Sequence, residues 1–357
     1  MAIRLLDESY SIIDVPIGLQ RKLNETFKQR VRVKEIVDKS KIVTNLIGAY
    51  AVRRVAHKAR FYVMDVVTQK MGLVLNRQLG SEKINVRTIL EKLNEKGIKV
   101  FLKGGVVRDI FTGVDSIDVD AIFDSNIYKV KAICDEEGWL VDNLAPKFQS
   151  MNIGGAKGVS IDLVNLKATF MSSDIEHEFT VNDLVFDWRA NVLIDVSGYG
   201  LFDVINRIIR ISPTPNLYNK WASNDWKKPL RYFKLLMKGY KPMTPKLHEF
   251  VVGYIENNIE SVYFQTIYEN VSRIKHFLIK NITNGIINTD GSYEYGVNKR
   301  GIHPFLMEMK KHLSAQVFLR IISILRASSH DRYIETIMNK VSKNKKLTMK
   351  IKRKSIL

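Results

Sequence analysis

The sequence predicts an α+β chain, in which a mixed α/β segment lies between a basic, mostly helical stretch and an all-helical remainder. Three observations carry this. Short apolar runs bounded by glycine alternate with amphipathic helical patterns from about residue 81 to 212, a stretch of ordinary domain size (~100–150 residues). After Pro213 the strand signals fade and helical periodicity takes over. Hydrophobic residues make up 45% and charged residues 26% of the 357, the balance of a globular chain with room for two or three domains.

Residues 1–80 read as a basic N-terminal extension. The run Arg30-Val31-Arg32-Val33-Lys34-Glu35-Ile36-Val37 leads into a stretch where Leu46, Ala49, Tyr50, Val52 and Ala56 recur at three and four spacing. Arg53, Arg54, Lys58 and Arg60 give that stretch either a solvated face or an RNA-contacting arm. The next segment, 81–212, opens with an amphipathic helix over 84–96 (Ile84, Ile89, Leu90, Leu93), which Gly97 ends. Val100-Phe101-Leu102 is a short buried strand stopped by Gly104-Gly105. Val106–Thr112 reads as a helix closed by Gly113, Ile117–Phe123 as a strand and Ile127–Glu137 as a helix, with further strands at Val159–Leu166 and Asn191–Asp195. The spacing then predicts helices over 229–239, 245–260, 263–280, 303–312 and 315–328. These fall into two helical segments, 213–290 and 291–342, and a tail (343–357) holds seven basic residues from Lys343 to Lys354.

Lys and Arg total 56 against 37 Asp and Glu, a net charge of +19 that favours a polyanionic partner. The single cysteine, Cys134, excludes a disulfide framework and a cysteine-based zinc site and suits a reducing compartment. No run approaches the ~18 apolar residues of a membrane span, and no signal peptide is evident, so a cytoplasmic location without a membrane partner is expected. The seven histidines show no metal-ligand spacing.

The chemistry concentrates in Lys103-Gly104-Gly105-Val106-Val107-Arg108-Asp109 and, nine residues after Asp109, in Asp118-Val119-Asp120. A strand that ends in Gly-Gly and opens a helix offers bare N–H groups to a phosphate, with no Cβ to block its approach. On a strand, Asp118 and Asp120 point to one face, where two carboxylates repel unless a cation lies between them. Hard oxygen ligands at this spacing suit Mg²⁺ bridged to substrate phosphates. Either feature alone is common. The apolar neighbours Ile117, Val119, Ala121 and Ile122 argue against a solvated loop.

These residues resemble the signature of the class II tRNA nucleotidyltransferase and bacterial poly(A) polymerase family. Further resemblances follow in order: Phe179-Thr180-Val181-Asn182, then Asp195-Val196-Ser197-Gly198-Tyr199-Gly200-Leu201-Phe202-Asp203 with Arg210, then Pro229-Leu230-Arg231. Together they cover about residues 98–240, while the first 80 residues match nothing in the family. The resemblance implies a nucleotidyltransferase head at 81–212 followed by helical neck and body. It implies that Asp118 and Asp120 hold two Mg²⁺ ions, with Asp162 either a third carboxylate or a solvent-facing edge residue. Gly104 and Gly105 would approach the triphosphate, and Arg108 would pair with phosphate or support the site. Asp109 is structural, holding Arg108 or a loop. Asn182 would meet the ribose or triphosphate, and Arg231 the incoming base. The implied substrate is a nucleoside triphosphate, ATP or ATP with CTP. The implied partner is the 3′ end of tRNA or another RNA.

The chain also departs from that family. Glu176-His177-Glu178 stands where the family has Arg-Arg-Asp, and Lys227-Lys228 where it has an acidic pair. Lys234 and Lys238 replace arginines, and lysine lacks the planar fork. Trp221, Trp226, Tyr232 and Phe233 either stack on a base or pack a helix junction, and packing is the expectation. The leading expectation is a template-independent RNA nucleotidyltransferase, either CCA-adding or poly(A) polymerase-like. The alternatives are an RNA-binding protein that keeps the fold with lost or narrowed catalysis, and a transferase acting on a protein or small molecule.

Overall fold

The structure is a computed structural model and describes residues 12–37, 59–79, 84–113, 119–146, 149–154, 160–165, 179–211, 227–265, 286–287, 293–294 and 302–327. Asp118, the 176–178 triplet, Trp221, Trp226, most of the helix expected over 263–280 and the basic tail lie outside the described residues. The chain divides into two compact units, Met1–Leu217 with Gly285–Tyr295, and Tyr218–Asn284 with Gly296–Leu357.

The first unit is built on a ten-stranded sheet. Its strands are β1 (Ile12–Asp14), β2 (Val33–Ile36), β3 (Arg60–Met64), β4 (Val100–Lys103), β5 (Val119–Phe123), β6 (Val141–Ala145), β7 (Ser150–Ile153), β8 (Ile161–Asn165), β9 (Leu184–Asp187) and β10 (Val192–Asp195). Their order is β1-β2-β3-β10-β9-β4-β5-β8-β7-β6. Every ladder is antiparallel except β5 with β8. Helices α1 (Ile17–Phe27), α2 (Asp65–Leu75), α3 (Val86–Glu95), α4 (Gly105–Asp109), α5 (Ile127–Glu136) and α6 (Gly200–Asn206) link the strands. A parallel pair needs a crossover, and α5 with the β6–β7 hairpin supplies it.

Helices α3 and α5 form where the patterns place them. Asn85 caps α3 by accepting from the Thr88 N–H, and Val86, Ile89, Leu90 and Leu93 are fully buried on one side of that helix. Asn126 caps α5 in the same way through the Tyr128 N–H. One face of the sheet is an apolar cluster of Ile36, Ala59, Phe61, Val63, Phe101, Ile122, Val185, Val192 and Ile194.

That cluster corrects the expectation for residues 1–80. The described part of this stretch is no separate helical extension: β1, β2 and β3 are strands of the same sheet. Phe27 of α1 packs on Phe111 with ring centroids 5.5 Å apart. The helical reading of 30–37 fails because Val31 and Val33, both buried, alternate with Arg32 and Lys34 at a period of two. Phe61-Tyr62-Val63-Met64 is buried on both faces, so it carries no alternation by which to tell strand from helix.

The second unit contains helices α7 (Lys227–Met237), α8 (Pro245–Gln265), α9 (Ile302–His312) and α10 (Ala315–Ala327). Tyr232 and Phe233 are wholly buried, with the Tyr232 hydroxyl 2.7 Å from His248 Nδ1. These two aromatics therefore pack a helix junction.

Gly200, at the start of α6, has no room for a side chain. A Cβ there would lie 2.8 Å from the Thr180 carbonyl oxygen and 3.0 Å from Asp195 Oδ1. Gly200→Ala should cost about 1–3 kcal/mol in urea unfolding. By contrast Gly72→Ala in α2, where a Cβ meets nothing within 4 Å, should gain about 0.5–1 kcal/mol. Equal effects of the two would contradict this packing.

Candidate active site

Lys103 ends β4, and the chain turns at Gly104 with φ +68° and ψ −130°, a backbone conformation open to glycine alone. This elbow passes directly beside β5, where a Cβ on Gly104 would lie 3.4 Å from Asp120 Oδ2. The glycine pair and the second carboxylate of Asp-Val-Asp are therefore neighbours in space. Asp120 is half-buried and shares the sheet face of Ile122, two residues on.

The parallel ladder sets Asp120 opposite Asp162 of β8. Adjacent strands lie ~4.8 Å apart, so two carboxylates in register stand within reach of one cation. Asp162 is half-buried between β5 and β7 and is not on a sheet edge. Among the described residues no group of three His, Cys, Asp or Glu forms a metal cage. Two aspartates beside a gap left by glycine do suit Mg²⁺, which keeps waters and takes one or two carboxylates together with substrate phosphates.

Arg108, expected to pair with phosphate or support the site, and Asn182, expected to meet the ribose or triphosphate, are bonded to each other. Arg108 is buried in α4, and its Nε donates to Asp109 Oδ1 at 2.8 Å. Its Nη1 donates to Asn182 Oδ1 at 2.5 Å. The guanidinium thus ties the first motif to the short 3₁₀ turn Thr180–Asn182, and Asp109 holds Arg108. Arg108 therefore bridges Asp109 on its own helix and Asn182 on the turn.

The third motif locks onto the same turn. Asp203 of α6 accepts from the Thr180 hydroxyl at 2.6 Å and from Arg210 Nε and Nη2 at 2.8 and 3.1 Å. The Arg210 guanidinium also lies over the Tyr199 ring, 4.4 Å from its centroid. Asp195, at the end of β10, accepts the N–H groups of Gly198, Gly200 and Leu201 and so caps α6. None of Asp109, Asp195 or Asp203 was singled out as a binding residue by the sequence reading, and the structure buries all three. The resemblance had cast Asp109 as the residue that holds Arg108, whereas Asp195 and Asp203 appeared only as members of a motif.

Arg231 lies on α7 of the second unit, half-buried, with Lys234 and Lys238 on the same helix and the turn after it. The described residues contain no helix long and apolar enough to cross a membrane.

Comparison with known proteins finds similarity to a tRNA nucleotidyltransferase. Over 213 residues the chain is 24% identical to the tRNA nucleotidyltransferase cca1 of Schizosaccharomyces pombe, covering 48% of this chain. The match spans 42% of that protein, less than half its length. No family model matches the chain. Solved structures that overlap it include a tRNA-processing enzyme with CTP, 18% identical over 75% of this chain and 80% of that one, TM-score 0.45. Another is a tRNA nucleotidyltransferase complexed with a primer tRNA and an incoming ATP analog, 16% identical over 66% and 62%, TM-score 0.45. A third is the Bacillus stearothermophilus CCA-adding enzyme in complex with CTP, 16% identical over 69% and 57%, TM-score 0.43.

Burial pushes the Asp195 carboxyl up from 3.8 to about 6, against the opposing pull of the Leu201 and Gly200 N–H groups. The folded chain keeps this proton to about pH 6, whereas the unfolded chain releases it near 3.8. The stability it contributes, at most about 3 kcal/mol, is complete below pH ~4 and is lost as pH rises through ~6. In urea unfolding across pH 4–7, Asp195→Asn should remove this downward component, and wild type and variant running parallel would exclude it.

Proposed function

We propose that this protein is a template-independent RNA nucleotidyltransferase that adds nucleotides from a nucleoside triphosphate to an RNA 3′ end, with tRNA as the acceptor. The observation that carries the reading is the Gly104 backbone lying against Asp120, with Asp162 in register beside it. A phosphate-receiving elbow and a pair of hard oxygen ligands thus occupy one corner of the sheet. The sequence similarity to the fission-yeast tRNA nucleotidyltransferase supports the same class. The net charge of +19 suits a polyanionic acceptor held through its phosphates.

In this reading Asp120, Asp118 and Asp162 hold two Mg²⁺ ions. Bound there, Mg²⁺ supplies Lewis-acid polarisation of the triphosphate and makes the RNA 3′ hydroxyl a better nucleophile. Gly104 and Gly105 let the triphosphate approach the main chain without a Cβ in the way. The hydroxyl oxygen bonds to the α-phosphorus as the bond to the β-phosphate's bridging oxygen breaks. Pyrophosphate leaves and the hydroxyl proton passes to solvent. Arg108, braced by Asp109, fixes Asn182 and with it the turn that flanks the elbow. The resemblance assigns Arg231 to the incoming base, and the positive charges of Lys234 and Lys238 suit RNA phosphates. The nucleotide is ATP, joined by CTP if the added sequence is CCA, and the setting is cytoplasmic.

The Arg108–Asn182 bond also favours a second reading, an RNA-binding protein of the same fold with narrowed catalysis, because two groups suited to a nucleotide are bonded to each other. One assay separates them. The chain is incubated with total RNA, Mg²⁺ and each labelled nucleoside triphosphate in turn, beside Asp120→Ala. The proposal expects labelled RNA 3′ ends with ATP, reduced more than about 100-fold in the variant. RNA binding without incorporation would support the second reading, and equal labelling by both proteins would refute an active site at Asp120.

A further inference from the structure

On the side of β8 away from β5 lies β7, and the register partner of Asp162 on that strand is Asn152. The Asn152 carboxamide Nδ2 donates to Asp162 Oδ1 and lies 3.1 Å from Ser160 Oγ. Asn152, Asp162 and Asp120 thus form one row across three adjacent strands. The orientation of the amide follows from chemistry: turned over, its oxygen would face a carboxylate oxygen, acceptor against acceptor. Both amide hydrogens are accounted for, one on the carboxylate and one on the serine hydroxyl.

We propose that Asn152 is a positioning residue for the cation site, fixing the carboxylate of Asp162 beside Asp120. This rests on the reading above, that the two aspartates share a divalent cation. Two like charges in neighbouring register positions repel, and an aspartate on a strand can relieve the repulsion by rotating its side chain. A hydrogen bond to Oδ1 opposes that rotation. The donor is also neutral. A lysine or arginine at residue 152 would hold the carboxylate equally well but would cancel charge that the cation needs, whereas a carboxamide orients the ligand and leaves the negative charge of the pair intact.

The test uses the full chain without nucleotide. Mn²⁺ binding is measured by electron paramagnetic resonance for wild type, Asn152→Ala and Asn152→Leu, the second keeping the side-chain volume, with thermal melting to establish that each is folded. The inference expects about 10-fold weaker Mn²⁺ binding in both variants. It also expects a matching rise in the Mg²⁺ concentration for half-maximal nucleotide transfer, with the rate restored towards wild type at saturating Mg²⁺. Folded variants that bind Mn²⁺ as wild type does would overturn the role of Asn152 alone. Wild-type chain that binds no Mn²⁺ would instead overturn the reading of the aspartate pair, and this inference with it.

Discussion

Two carboxylates held in register on the one parallel ladder of an otherwise antiparallel ten-stranded sheet set the terms for the rest of the first unit. Placing two half-buried anions side by side costs free energy unless positive charge lies near them. In the proposed reading a divalent cation would offset that cost, and the surroundings leave room for one. A glycine in a left-handed conformation keeps the space beside Asp120 clear. The α5 crossover and the β6–β7 hairpin bring β8 alongside β5, and β7 supplies a neutral donor to the second carboxylate.

Two buried ionic groups hold this corner together. Asp109, Arg108 and Asn182 connect the elbow helix to the 3₁₀ turn, and Thr180, Asp203 and Arg210 connect that turn to α6. Each carboxylate in these chains meets a guanidinium, so the charges are compensated inside the protein. The consequence is rigidity: three segments far apart in sequence are fixed to one another next to the position where a reacting phosphate would lie. Arrangements of this kind, which hold a site without touching its substrate, are how a fold keeps catalytic groups within fractions of an ångström.

Much of this corner was legible from the residues alone, for a local reason. The glycine elbow, the strand that carries Asp120, helix α3 with its glycine stop and helix α5 are each encoded within a dozen residues, where periodicity and capping act. What escaped is encoded at long range. Arg108 and Asn182 are 74 residues apart, and nothing near either one announces the other. Asp162 read equally as a ligand or an edge residue, and only the pairing of β8 with both β5 and β7 takes it off the edge. Asn152 drew no notice because its significance lies entirely in which strand pairs with β8. Strand β3 was hidden by burial on both faces, which removes the alternation by which a strand is recognised. The run into β2 does alternate, with Val31 and Val33 buried and Arg32 and Lys34 not, but over too few residues to stand out beside the basic three-and-four pattern that follows it in sequence.

The most direct test of the central claim is an anomalous difference map from crystals of the chain grown with Mn²⁺ and a non-hydrolysable ATP analogue. A metal peak shared by the side chains of Asp120 and Asp162, with the analogue's phosphates beside Gly104, is the predicted result. A map with no peak between those carboxylates, or with the metal and nucleotide bound at another part of the chain, would contradict it.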